Sequence, residues 1–285
     1  MAIQVQHFFD KATSTLSYVV HDEKTLDAVI IDPVWDFDPA SGALSEKSIE
    51  PIVTYIKTVN LKPHLVLETH AHADHLSASQ ILKRIYPDIK VAIGERISVV
   101  QKTFKNIFNM EDGEVSTSEF DILLKENETF HAGSLKFKTL FTPGHTPACA
   151  SYLIEDCLFV GDALFMPDSG TGRCDFPNGS AETLYESVHE KIYSLPPETR
   201  IFVCHDYQPL GRELKFQTTV GEEMEKNIQL RRVTTKEEFV NFRKTRDATL
   251  TAPKLLLPSI QVNIRAGHLP KPEKDGKRFL KIPLS

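Results

Sequence analysis

Hydrophobic positions in the first third of the chain follow two rhythms. Val5 to Phe9, Leu16 to Val20 and Ala28 to Ile31 are short β-rich runs separated by polar turns such as His21-Asp22-Glu23-Lys24, and they predict successive strands. The third runs into Asp32-Pro33, where the missing proline N–H ends the ladder. Ile49, Ile52, Val53, Ile56 and Val59 then recur at three- and four-residue steps, which is one apolar face of a helix. Leu65-Val66-Leu67 is an unbroken apolar run, as expected of a strand covered on both faces. A polar loop from His70 to His75 follows it.

Ser77 is then placed as the N-cap of a helix through Ile81, Leu82 and Ile85 that closes before Pro87. Lys90 to Ile93 reads as a strand, Ile97 to Phe108 as a helix and Glu111 to Asp121 as a loop. Further strands are expected at Leu135 to Phe141, Ser151 to Ile154, Cys157 to Val160 and Ile201 to Val203, with a helix from about Ala181 to Ser194 before the last. Interleaved strands and helices predict a layered α/β domain with helices on each side of the sheets. One domain is expected over residues 1–285, with a helical and extended C-terminal wrap from about Glu222 anchored by Phe239 and Phe242.

Composition narrows the function classes. The net charge of -6 argues against a nucleic-acid-binding field, though it leaves room for a local basic pocket. No stretch approaches the roughly 18 unbroken apolar residues of a membrane span. The first residues lack the basic and apolar regions of a leader, so the chain reads as cytoplasmic. Cys149, Cys157, Cys174 and Cys204 form no CxxC pair and read as reduced thiols, three of them beside strand-like sequence as small core residues.

The candidate chemistry lies in His70-Ala71-His72-Ala73-Asp74-His75. Residues at i and i+2 of an extended or turn-like segment can project to the same side, so His70 and His72 can converge on one ion. Asp74 and His75 add a carboxylate and a third imidazole, and these are the usual ligands of zinc, iron and manganese. A merely solvated loop is a poor account of four ligand-type residues in a six-residue window. His145 on the Pro143-Gly144 turn, Asp162 after Val160-Gly161, and His205 after Val203-Cys204 each stand at a strand end, which suggests convergence on one rim.

HxHxDH, followed by GH, GD and a final His after a strand, resembles the metallo-β-lactamase superfamily over about Val5 to Tyr207. The resemblance implies an αββα sandwich with the metal at one edge. In hydrolases of this fold, including glyoxalase II, it implies His70, His72 and His145 at one metal, with Asp74, His75 and His205 at a second and Asp162 bridging. Gly170-Thr171-Gly172-Arg173-Cys174-Asp175-Phe176, His205-Asp206-Tyr207 and Asn263-Ile264-Arg265-Ala266-Gly267 are similar to the persulfide dioxygenase branch. The ending from Gly276 to Leu284 resembles its bacterial β-lactamase-like members. Thr171, where human-type enzymes have cysteine, is a departure, and so are extra residues between Asp162 and Arg173.

That branch implies one ferrous iron per chain on His70, His145 and Asp162, with His72, Asp74, His75 and His205 around it. The implied reaction oxidises glutathione persulfide, or a similar small persulfide, with O2 to sulfite and thiol in sulfide detoxification. A two-zinc thioesterase of the glyoxalase II kind is the alternative. Arg173 is a candidate to steer the anionic substrate, against a structural salt bridge. Tyr207 could hydrogen-bond the sulfur species, against simple packing. Arg212 and Lys215 could meet a glutathione carboxylate, against a solvated helix face. The resemblance further suggests a rhodanese-type sulfurtransferase as partner and a homodimer.

Overall fold

The segment from Thr15 to Asp22 is buried at every position, which requires cover on both faces. The computed structural model describes residues 3–111 and 113–284 and shows that cover to be a second sheet on one side and helices on the other. Met1, Ala2 and Ser285, at the ends of the expected domain, and Asp112 in the expected polar loop lie outside the described residues.

In chain order the elements are β1 (Ile3–Asp10), β2 (Thr15–Asp22), β3 (Asp27–Ile31), β4 (Val34–Asp38), β5 (Ala43–Ser45), α1 (Glu50–Val59), β6 (Lys62–Glu68), β7 (Leu76–Ser77), α2 (Ser79–Ile85), β8 (Lys90–Gly94) and α3 (Ile97–Ile107). They continue as β9 (Ile122–Leu124), β10 (Thr129–Ala132), β11 (Leu135–Phe141), β12 (Ala150–Ile154), β13 (Cys157–Phe159) and α4 (Ala181–Glu186). The last are β14 (Arg200–Phe202), β15 (Gln217–Thr219), α5 (Val220–Lys226), α6 (Lys236–Asp247) and α7 (Leu256–Asn263).

One sheet has the order β1-β2-β3-β6-β8-β9 and the other β10-β11-β12-β13-β14-β15. Tyr18, Phe137, Phe159 and Phe202 fill the space between them. Ile52 and Ile56 of α1, Ile81 of α2, Val100 and Phe104 of α3 and Ile260 of α7 cover the outer face of the first sheet. Leu184 of α4 and Phe239 of α6 cover the second. This is the expected αββα sandwich. Strands β3 and β6 run parallel, as do β13 and β14, while β11 and β13 both oppose β12. The residues that follow β3, β6, β11, β13 and β14 therefore emerge at strand C-terminal ends, where cross-sheet bonds such as Leu16 N to Cys204 O (2.7 Å) and Ala150 N to Thr69 O (2.9 Å) tie the rim.

Several expectations change. Ser77 does not cap α2; it lies on β7, its N–H donates to Asn263 Oδ1 at 2.8 Å, and Ala78 is the cap residue without a side-chain bond. The Ala181–Ser194 helix widens into a π-turn over Ser187–Ile192, where Ser187 Oγ donates to Pro143 O at 2.7 Å and Lys191 Nζ to Phe141 O at 2.6 Å. Phe239 anchors α6, but Phe242 is 42% exposed because Arg243 occupies the inward position beside Phe239. Strands β4, β5, β7, β9, β10 and β15 were not anticipated, while α6 and α7 fall within the stretch expected to be helical. Among the described residues no helix is long and apolar enough to cross a membrane.

Candidate metal centre

Strand β6 ends buried, and the chain then turns through His70 to His75 with all three imidazoles enclosed. The orientation of His70 is set from behind. Thr69 Oγ1 donates to Asp32 Oδ2 at 2.8 Å, so its lone pair is left to accept from His70 Nδ1 at 3.0 Å. His145 is fixed in the same way, because its Nδ1 is 2.7 Å from the Arg173 carbonyl, which can only accept. Both imidazoles therefore keep an Nε2 lone pair for an ion.

Ligand atoms of His70, His145 and Asp162 all lie within 4.8 Å of one another. Burial pushes the His70 pKa well below its ordinary value, helped by neighbouring imidazoles, and the same holds for His72. Burial raises that of Asp162. Asp162 Oδ1, His72 Nδ1 and His75 Nε2 are buried without a hydrogen-bond partner among the described residues. Imidazole nitrogens and a carboxylate oxygen left without hydrogen-bond partners are the donor types a transition metal requires.

A second donor group adjoins the first. His72, Asp74 and His75 also present atoms within 4.8 Å of one another, as do His72, Cys204 and His205. His205 Nε2 sits 3.2 Å from Asp74 Oδ2 and 3.4 Å from Asp162 Oδ1, so it links the two groups. His72 Nε2 is 2.9 Å from Asp32 Oδ1 and 3.7 Å from Glu68 Oε2. All seven candidate ligands thus meet at one rim.

Gly144 lets the His145 turn approach α4. Its φ is +144°, and a Cβ there would stand 2.3 Å from that of Leu184. The loop after β13 is strapped by the C-terminal third. Asp247 accepts from Cys174 N at 2.8 Å and pairs with Arg243, which also donates to Thr171 O at 3.1 Å and Gln229 Oε1 at 2.9 Å.

Arg173 forms a two-point pair with Asp175, both contacts at 2.5 Å, and donates to Thr251 O, so its side chain locks the loop although it also borders the cavity described below. Tyr207 is 56% exposed, stacks on His205 and meets Phe165 edge-on. The Arg212 guanidinium is shared between Asp168 and Asp206, at 2.5–2.8 Å, Lys215 is exposed, and neither is among the residues that line the cavity. All four cysteines are buried, and burial pushes the Cys149 and Cys157 thiols up to about 12, which leaves them inert.

Sequence reasoning missed Asp32, Glu68 and the job of Asn263. Burial raises both carboxylate pKa values, and Ser79 Oγ donates to Glu68 at 2.5 Å. Asn263 Nδ2 donates to His72 O at 2.8 Å and His75 O at 2.7 Å, which fastens the histidine loop to α7. The available signal was Asp32 before a proline at the end of an apolar run; the structure places it in left-handed backbone (φ 47°).

A cavity of about 1180 Å³ opens onto Asp74, His145 and Asp162. Trp35, Phe37 and Leu44 of the β4–β5 hairpin line one part of it, and Leu250, Pro253 and Leu255 another.

Residues 11–205 match the family model of the metallo-beta-lactamase superfamily. The chain belongs to the metallo-β-lactamase superfamily. Within it, the chain is 49% identical to "Glyoxylase B2" of Dictyostelium discoideum, over 99% of this chain and 97% of the relative. It is 30% identical to the mitochondrial persulfide dioxygenase ETHE1 of Homo sapiens, over 93% of this chain and 89% of that one. The crystal structure of ETHE1 from Myxococcus xanthus superposes with a TM-score of 0.74 at 29% identity, covering 93% of this chain and all of the other. The superfamily fold and its His/Asp metal-binding rim are thus common ground, and metal-dependent enzyme chemistry, hydrolytic or oxidative, follows from membership.

Proposed function

We propose that this protein is an iron-dependent persulfide dioxygenase that converts glutathione persulfide, or a similar small persulfide, to sulfite and thiol. The observation that carries the reading is the His70–His145–Asp162 group, two imidazoles and one carboxylate within 4.8 Å, each imidazole held from its far nitrogen. Two histidines and one carboxylate on one face is the donor set of non-haem Fe(II) oxygenases, with positions left open for substrate and oxygen. The overall change is RSSH + O2 + H2O to RSH and sulfurous acid: the S–S bond breaks, the terminal sulfur is oxidised and O2 is reduced. Bound iron would supply the electron path between sulfur and oxygen.

The chain's residues do the remaining work. His70 and His145 are held in orientation from Nδ1, and Asp162 supplies the carboxylate. Phe165 and Tyr207 line the cavity beside His205. The 30% identity to the human persulfide dioxygenase supports this reading. A rhodanese-type sulfurtransferase is the proposed source of the persulfide.

A specific observation favours a second reading. The adjoining His72, Asp74 and His75 group could hold a second ion, and a two-zinc site would activate water for thioester hydrolysis. The relative named glyoxylase B2, at 49% identity, leans the same way. Oxygen uptake and sulfite formation with glutathione persulfide on iron-loaded protein test the first reading. No uptake at full iron occupancy would sink it, and oxygen-independent hydrolysis of S-lactoylglutathione at about two zincs per chain would install the second.

A further inference from the structure

The cavity lining divides its charges unevenly between those already satisfied and those left free. Asp10 is held by Thr13 and Ser48, Asp36 by Ser48, and Asp38 by Ser41 and the Ala40 amide. Arg173 is matched by Asp175, and Arg243 by Asp247. Three lining cations, Lys47, Arg246 and Lys254, have no hydrogen-bond or ion-pair partner among the described residues. Two of them, Arg246 in the last turn of α6 and Lys254 just before α7, belong to the stretch that also gives the cavity Leu250, Pro253 and Leu255. What this wall lacks is an anion at the end of a molecule whose middle lies on apolar side chains.

We propose that Arg246 and Lys254 form the anion subsite of the cavity and take a carboxylate at the non-reacting end of a glutathione-type substrate. The identity of the reacting sulfur rests on the dioxygenase reading; the subsite itself does not. Guanidinium and ammonium groups are suited to a carboxylate, Arg246 through two parallel N–H bonds and Lys254 as a point charge. Both side chains are exposed, so the subsite is screened by salt and steers approach as well as binding.

The test uses the metal-loaded full chain and S-methylglutathione, which keeps the carboxylates but cannot react. Calorimetry on the Arg246→Gln/Lys254→Gln double variant is expected to show binding weakened about tenfold, the equivalent of about 1.4 kcal/mol. The parent's affinity should fall with added salt, and the variant's should respond much less. The dimethyl ester of the same compound should bind the parent as weakly as the acid binds the variant. Equal affinity of parent and variant, an ester that binds as well as the acid, or no binding to the parent would each overturn the subsite. Neither side chain has a partner to lose, so an unchanged thermal midpoint is expected to show that the variant is folded. If oxygen uptake with glutathione persulfide fails while these differences hold, the dioxygenase reading falls and the subsite stands.

Discussion

Replacing Asp247 by alanine removes one member of an ion pair whose residues are 6% and 3% exposed. Arg243 would keep its charge in a site with only Thr171 O, Thr171 Oγ1 and Gln229 Oε1 left to accept from it, and the Cys174 N–H would lose its acceptor. Stranding one charge of a buried pair costs about 3–5 kcal/mol. The orphaned amide alone is worth about 1–3 kcal/mol, overlapping with the first figure because both act through one carboxylate. The damage sits beside the metal centre, since Cys174 follows Arg173, whose carbonyl orients His145. Metal affinity should therefore fall about 10- to 100-fold, the usual cost of losing an outer partner of a ligand. Urea unfolding of the metal-free protein reads the first effect, and metal titration the second. The double variant Arg243→Met/Asp247→Leu removes both charges and should recover most of the stability lost by Asp247→Ala. A single variant within about 1 kcal/mol of the parent, or a double variant no better than the single, would refute the reasoning.

Gly144→Ala should cost at least about 1–3 kcal/mol, because φ +144° is poorly open to alanine and the added carbon meets Leu184; a thermal midpoint equal to the parent's would count against it. Glu223 is fully buried, with its pKa pushed up to about 8 by that burial despite the bond from Asn227. The neutral acid is therefore the form that folding favours. Its contribution is complete below the unfolded value near 4.5 and is lost as pH rises through about 8. Glu223→Gln should flatten the fall in stability between those limits, as measured by denaturant midpoints at several pH values, and parallel profiles would dismiss the assignment. Removing metal with a chelator should lower the thermal midpoint, and restoring it at about 1,000 times its Kd should return about 4 kcal/mol. His145→Ala should abolish that metal-dependent gain while the apo protein stays folded.

Much of the sandwich was legible because its central strands are buried on both faces. Leu65-Val66-Leu67 and Ala28 to Ile31 therefore spell themselves as unbroken apolar runs. The histidine loop was legible for a different reason: four ligand-type residues in six have few uses besides an ion. What stayed hidden carries mixed signals. Strand β4 reads Val-Trp-Asp-Phe-Asp, and its aspartates look like turn residues until Ser48 and Ser41 are seen to satisfy them. Asp32 looked like a strand terminator, because nothing local says that Thr69 and His72 will close on it from the loop after β6. Arg243 was masked by its neighbour: in a charged helix an aromatic is the natural inward residue, and only the loop after β13 reveals why a buried cation is needed there.

These hidden residues share a role that the ligand motifs alone do not convey. The family match ends at residue 205, yet Gln229, Arg243, Asp247 and Asn263 all lie beyond it. Asn263 holds the carbonyls of His72 and His75, while Asp247 and Arg243 hold the loop that carries Arg173 to His145. The same segment supplies Arg246, Lys254 and the apolar wall of the cavity. One stretch of chain therefore both braces the ligands and shapes what reaches them. Arg246 lines the cavity but has no partner in the brace among the described residues, so it can vary without loosening the ligands. Arg243 and Asn263 have no such freedom, because each is bonded to the loops that hold the metal ligands.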